Sequence, residues 1–88
     1  MITYEDFEEI NPDLTFIGEE PTMYKDAIVG LSSDNNHVIY SYDRLRTSMM
    51  IVNKWSYEEA DEWISYNVLR SLPYMQPYEP IVMMEIDD

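Results

Sequence analysis

The sequence predicts a small α+β fold, in which a hairpin and a C-terminal strand make an antiparallel or mixed sheet and two helices pack on one of its faces. Three observations carry that expectation. Two β-rich runs flank a cluster of turn formers, Ser32-Ser33-Asp34-Asn35-Asn36. A capping-box sequence at Ser56-Tyr57-Glu58-Glu59 opens a helix that Pro73 stops. An apolar run, Ile81–Ile86, then follows a proline- and tyrosine-rich connector. At 88 residues, one domain over 1–88 is expected, with an acidic helical turn and connector over 1–25 and a ββααβ core over 26–86. The 45% hydrophobic content and only 2 Gly can fill such a core despite the high charge.

Taken in order, Tyr4-Glu5-Asp6-Phe7-Glu8-Glu9-Ile10 reads as a short helix with Tyr4, Phe7 and Ile10 on one face. Asn11-Pro12-Asp13 ends it, because Pro12 biases Asn11 away from the α region, and Gly18 and Pro21 make residues 11–25 mostly connector. Asp26–Leu31 and His37–Tyr42 are the hairpin strands, with Gly30 marking a bulge or a close approach of another backbone. Asp43 caps a helix running to about Lys54, its stripe formed by Leu45, Met49 and Val52 and widened by Met50 and Ile51. The helix from Ser56 to about Leu72 places Tyr57, Ala60, Ile64 and Val68 on the core side, with Trp63 beside them. The last run is apolar on both faces until Glu85, as a central strand would be, and can pair beside either hairpin strand. The expected core is Ile28, Val38, Tyr40, Leu45, Met49, Ala60, Ile64, Val68, Ile81 and Met83.

Charge is the most informative number. The chain has 18 acidic and 5 basic side chains, a net −13, and the acids gather at both ends. Residues 1–20 hold seven acids and no base, and residues 58–88 hold eight acids and one base, Arg70. Such a surface repels nucleic-acid phosphates and anionic lipid, so direct nucleic-acid or membrane binding is not expected and a basic protein surface is. No cysteine is present, which removes thiolate chemistry and leans toward an intracellular setting. The first residues lack the basic start and apolar run of a signal peptide, and no apolar stretch is long enough to span a bilayer, so a cytoplasmic location is expected.

The segments Asp26-Ala27-Ile28-Val29-Gly30, Val38-Ile39-Tyr40-Ser41-Tyr42-Asp43, Tyr57-Glu58-Glu59-Ala60, Glu62-Trp63-Ile64 and Tyr66-Asn67-Val68-Leu69-Arg70-Ser71-Leu72-Pro73-Tyr74, with Pro80-Ile81-Val82, resemble a group of short acidic phage and prophage proteins. Members pair an "ALIG" strand with a "YDYD" strand and follow them with an "EEAxEW" helix that ends in a "YNTIRxLPY" pattern. The resemblance spans about residues 26–83 and departs at Lys54 and Trp55, where relatives tend to carry Gly or a polar residue. It implies a phage origin and transfers no catalytic or binding residue.

Candidate chemistry is sparse. His37, the single histidine, opens the second strand and reads as an edge histidine bonded to its own turn, since Ser32 and Ser33 in a hairpin give no preorganised nucleophile. The 33–37 segment lacks the spacing and the bidentate Glu of a calcium loop. Glu58, Glu59, Asp61 and Glu62 put four carboxylates at a helix start, where the dipole favours them. Consecutive solvated positions make their environments alike, which suits recognition better than acid–base catalysis. Asn67, beside Ile64 and Val68, reads as a buried amide. Met49, Met50, Met83 and Met84 read as adaptable packing, while Tyr74 and Tyr78, spaced by prolines, offer rigid aromatic area.

No catalytic residue, metal ligand or cofactor is assigned. The expected function is therefore non-enzymatic: a phage-encoded protein that binds and inhibits or modulates a host protein, in one form as a DNA mimic. Its partner-binding residues are Glu58, Glu59, Asp61, Glu62, Tyr74 and Tyr78. The alternative is a structural or assembly accessory whose acidity serves solubility, a reading that a stable homodimer would favour.

Overall fold

The two β-rich runs pair across the turn as their composition requires. In the computed structural model, which describes residues 3–86, β1 (Ile28–Leu31) runs antiparallel to β2 (Val38–Ser41). The turn consumes its own carboxylate. The Ser32 hydroxyl donates to Asp34 Oδ1 at 2.6 Å and the Asn36 amide to the same oxygen at 3.1 Å, while Asn35 takes the left-handed φ of 64°. These donors, the Ser32 hydroxyl foremost, hold the Asp34 carboxyl below its ordinary value. Register shifts between Ile28 and Gly30, leaving Val29 as the extra residue of a bulge. Of the two readings of Gly30 the bulge holds, since a side chain there would meet nothing within 4 Å.

β3 (Ile81–Met83) lies parallel to β2, with Val82 opposite Tyr40, so the order is β1-β2-β3 and β2 is the centre. The last run is thus an edge strand, not a central one, and shorter than the Ile81–Ile86 run expected to form it. Val82 shares the face of Tyr40 and packs against the core. Ile81 and Met83 have the opposite phase and are 39% and 38% exposed, so neither is the core residue expected of it. Helices cover only one face of the sheet, and strand alternation can send only one phase of β3 there.

α2 (Tyr42–Asn53) begins directly on the end of β2. Its cap is Ser41 rather than Asp43: the buried Ser41 hydroxyl accepts from the Arg44 amide at 3.3 Å, so the last strand residue also starts the helix. Leu45 and Met49 are fully buried, whereas Val52 (47%) and Ile51 (73%) are exposed and fall outside the core stripe. Val52 sits in the last turn, just before Lys54 turns the chain away with a φ of 58°.

α3 (Tyr57–Trp63) opens with the expected capping box: the Glu59 amide donates to Ser56 Oγ at 3.2 Å and the Ser56 amide to Glu59 Oε1 at 3.0 Å. The helical path continues through a π turn at Ile64–Val68, a short α segment at Leu69–Ser71 and a 3-10 turn at Leu72–Met75 that contains Pro73. Ala60, Ile64 and Val68 are buried as expected, but Tyr57 is 51% exposed. In the π turn the Leu69 amide donates back to the Ile64 carbonyl, and the wider turn rotates each residue less. Asn67 therefore swings away from Ile64 and Val68 and is exposed, which corrects the buried-amide reading.

The N-terminal segment contributes more than a connector would. α1 (Tyr4–Ile10) is closed by a capping box of Thr3 with Asp6, and Phe7 enters the core while Ile10 stays 44% exposed. Leu14, Ile17 and Tyr24, all within residues 11–25, join Phe7, Ala27, Val38, Tyr40, Leu45, Met49, Ala60, Ile64 and Val68 in one buried cluster. Gly18 makes this possible: its φ is 107°, and a Cβ there would stand 3.1 Å from both Met23 and Tyr24. Ile28 is half-buried against the cluster. Among the described residues no helix is long and apolar enough to cross a membrane.

Candidate functional site

α3 separates its charges by helical phase. On the side toward α2, Asp61 bonds across to that helix with its side chain still 44% exposed. The Tyr42 hydroxyl donates to Asp61 Oδ1, and Arg46 donates to the same oxygen at 3.4 Å while its other nitrogen bonds Asp43 at 2.8 Å. The Arg46 guanidinium also lies over the Tyr57 ring, 4.3 Å from its centroid, and 5.3 Å from that of Tyr42. Burial first, and then the bond to the Asp61 carboxylate, hold the Tyr42 phenol above its ordinary value. Asp61 is thus committed to joining α3 to α2.

The opposite face is acidic and aromatic, and at its far end the Arg70 guanidinium lies over the Tyr66 ring, 4.7 Å from its centroid. Glu59, Glu62, Trp63 and Tyr66 fall at i, i+3, i+4 and i+7, the spacing that shares one helix face. The Trp63 ring packs on Trp55 with centroids 5.1 Å apart and planes tilted by 45°. Trp63 is 45% and Tyr66 54% exposed, both large values for such rings. These side chains, with Asn67, line a groove of about 340 Å³. It adjoins a second groove of about 420 Å³ that shares Trp55, Trp63 and Asn67 and extends to Glu19, Met23 and Asn53. Asn53 is fixed there by a 3.0 Å bond from its amide to the Tyr24 hydroxyl. Glu58, Asp61 and Glu62 line a neighbouring depression with Tyr57, Ser65 and Tyr66, so Asp61 borders this surface while it bonds Arg46.

Of the six residues expected to bind a partner, the structure gathers Glu58, Glu59 and Glu62 on accessible surface around α3 and turns Asp61 toward Arg46. Tyr74 is 90% exposed and Tyr78 half-buried, with its carbonyl accepting from the Thr15 amide at 3.3 Å. Both lie beyond the far end of the helix from the acids and line neither groove. Trp55, Trp63 and Tyr66 escaped the sequence reading as site residues. The signal was present in the i, i+3, i+4, i+7 alternation of acids and aromatics, but it is masked by counting Trp63 with the core.

His37 faces elsewhere. Its amide donates to Ser32 Oγ at 2.9 Å, within its own turn as expected. Its ring instead reaches the segment before β3, with Nδ1 2.7 Å from the Glu79 carbonyl and 3.2 Å from Glu79 Oε1. Both partners are acceptors, which puts the proton on Nδ1. The histidine ties the hairpin to the approach of β3. Among the described residues no three His, Asp or Glu side chains converge as metal ligands.

Comparison with protein-family models, curated proteins and solved structures finds no match for this chain.

Proposed function

We propose that this protein is a non-enzymatic, phage-encoded binding module that docks its acidic α3 face on a basic surface of a host protein and inhibits or modulates it. The observation that carries this reading is the juxtaposition of exposed tryptophan with carboxylates that take part in no ion pair among the described residues, Glu59 and Glu62 beside Trp63, on a chain of net charge −13. Aromatic anchors within a charged rim are the usual anatomy of a protein interface. The carboxylates also steer a basic partner to the site. The resemblance to acidic phage proteins supplies the host context. In its DNA-mimic form, the carboxylates occupy the target's phosphate-binding residues, and duplex DNA then competes with this protein for the target.

The test is capture from host lysate at low and high salt, followed by titration of the identified partner. The variant is Glu58→Gln, Glu59→Gln and Glu62→Gln together. Asp61 is left in place, because neutralising it would disturb Arg46 and Tyr42. Affinity is expected to fall on the order of tenfold, with the association rate falling as salt rises. Unchanged affinity would sink the electrostatic reading.

A second reading, an assembly accessory acting as a homodimer, is favoured by the uncovered sheet face. There Ile81 and Met83 are exposed on the edge strand, and Met84 and Ile86, which follow it, are exposed as well. Sedimentation equilibrium decides it: a dimer that Ile81→Asp dissociates supports this reading, and a monomer across micromolar concentrations removes it.

A further inference from the structure

We infer that the groove between Trp63 and the carboxylates of Glu59 and Glu62 is a cradle for a guanidinium group, the side chain of an arginine in a basic protein segment. This rests on the binding reading above and names the chemistry that the acidic face recognises. Three observations lead there.

The first is an arrangement of the same kind, already filled, on the other side of the same helix. Tyr57 supplies a ring face and Asp61 a carboxylate, and Arg46 lies between them, 4.3 Å over the ring and 3.4 Å from the carboxylate oxygen. On the outer face Trp63 supplies the ring and Glu59 and Glu62 the carboxylates, yet neither acid takes part in an ion pair among the described residues.

The second is the disposition of the acids. Glu59 uses one oxygen, Oε1, to hold the Ser56 amide, which fixes the side chain at the helix start and leaves its other oxygen free. Glu62 lies three residues on, so the two present carboxylate oxygens along one edge of the groove. A planar group with donors on several nitrogens can meet both while its face rests on an indole. An ammonium, a compact and strongly hydrated point charge, uses that geometry less well.

The third is the indole itself. Trp63 is 45% exposed, although its partner Trp55 is half-buried and packed against it. A half-exposed tryptophan held in place by a second indole in the same groove offers the ring type that attracts a cation best. The space of about 340 Å³ accommodates one such side chain, and the adjoining groove past Asn67 gives the rest of the segment a path.

The chain carries only two tryptophans, Trp55 and Trp63, so emission excited at the red edge, where tyrosine does not absorb, reports this site alone. The full chain is titrated with a capped peptide of alternating arginine and glycine, and with matched peptides in which lysine or neutral citrulline replaces arginine. Affinities are read by anisotropy of the labelled peptide. The arginine peptide should shift tryptophan emission saturably, the lysine peptide should bind several-fold more weakly, and the citrulline peptide should leave emission unchanged. Trp63→Leu and, separately, Glu59→Gln with Glu62→Gln should each weaken the arginine peptide by about tenfold. Gln at position 59 still serves the capping box, so the second variant keeps the helix start and remains a fair test if the first perturbs folding. Arginine-peptide binding that neither variant weakens overturns the cradle, and the triple variant with Glu58→Gln then tells whether the acidic-surface reading falls with it. Equal affinity for the lysine peptide overturns the guanidinium assignment. No saturable binding of either basic peptide overturns the cradle and the basic-partner reading together.

Discussion

Ile64→Ala is expected to lower the free energy of unfolding by about 2–5 kcal/mol, a large share of what a domain of this size has. Ile64 is fully buried and lies at the junction of α3 with the π turn, where Ala60 precedes it and Val68 follows it on the core side. Truncation leaves a hole in the core, so transfer and cavity losses add, and the better helix propensity of alanine offsets only a few tenths of a kcal/mol of them. Urea unfolding followed by circular dichroism measures the change as a shift of midpoint at constant slope. Ile51→Ala is the matched control. Ile51 is 73% exposed on α2, so its truncation should stay within about 0.5 kcal/mol. Equal midpoints for the two variants would mean that Ile64 does not sit in the core.

Tyr40→Phe is expected to cost about 1–3 kcal/mol at neutral pH, and this cost should shrink in alkali. The Tyr40 ring is fully buried, and its hydroxyl accepts the Ile17 amide at 3.0 Å. Phenylalanine keeps the packing but leaves that buried amide without a partner, which is the costly way to lose a hydrogen bond. Burial pushes the Tyr40 phenol from an ordinary 10.0 up to about 12, only partly offset by the Ile17 bond. The folded state therefore holds this proton more tightly than the unfolded state. The stability tied to it is fully present below pH 10 and is lost as pH rises from 10 through about 12, a fall on the order of 2 kcal/mol. Phenylalanine cannot ionise and is free of that loss. Melting temperatures at pH 7 and pH 11 should show the gap between wild type and variant narrowing at the higher pH. A gap that stayed constant would show that Tyr40 ionises in the folded state as readily as in the unfolded one.

Much of the site is set by local rules. Ser56 and Glu59 announce the start of α3 in four residues, and with it the positions of Glu58, Glu62, Trp63 and Tyr66 around the helix. The separation of the acids into two functions is not local. Asp61 and Glu62 are adjacent in the chain and equally acidic, yet Asp61 bonds Tyr42 and Arg46 on α2 while Glu62 faces a groove. Only the placement of α2 alongside α3 distinguishes them. Helix length alone separates the acids from Tyr74 and Tyr78 by about 25 Å, which makes them separate sites, and the structure keeps them at opposite ends of the helical path.

What the sequence determined by itself was the identity and order of the elements: the hairpin from its turn formers, α3 from its capping box, and the buried phase of Leu45, Met49, Ala60, Ile64 and Val68 from helical spacing. These depend on contacts within a few residues, where side-chain chemistry and backbone preference act directly. The tertiary structure decided which strand is central, which phase of β3 is buried, and that Leu14, Ile17 and Tyr24 complete the core from an irregular segment. An apolar run such as Ile81–Met84 suits either face of a sheet, and an irregular segment has no periodicity to reveal the side it buries. Each choice was settled by which partner was there to cover it: the helices on one face of β2 and, for Ile17, the hydroxyl of Tyr40.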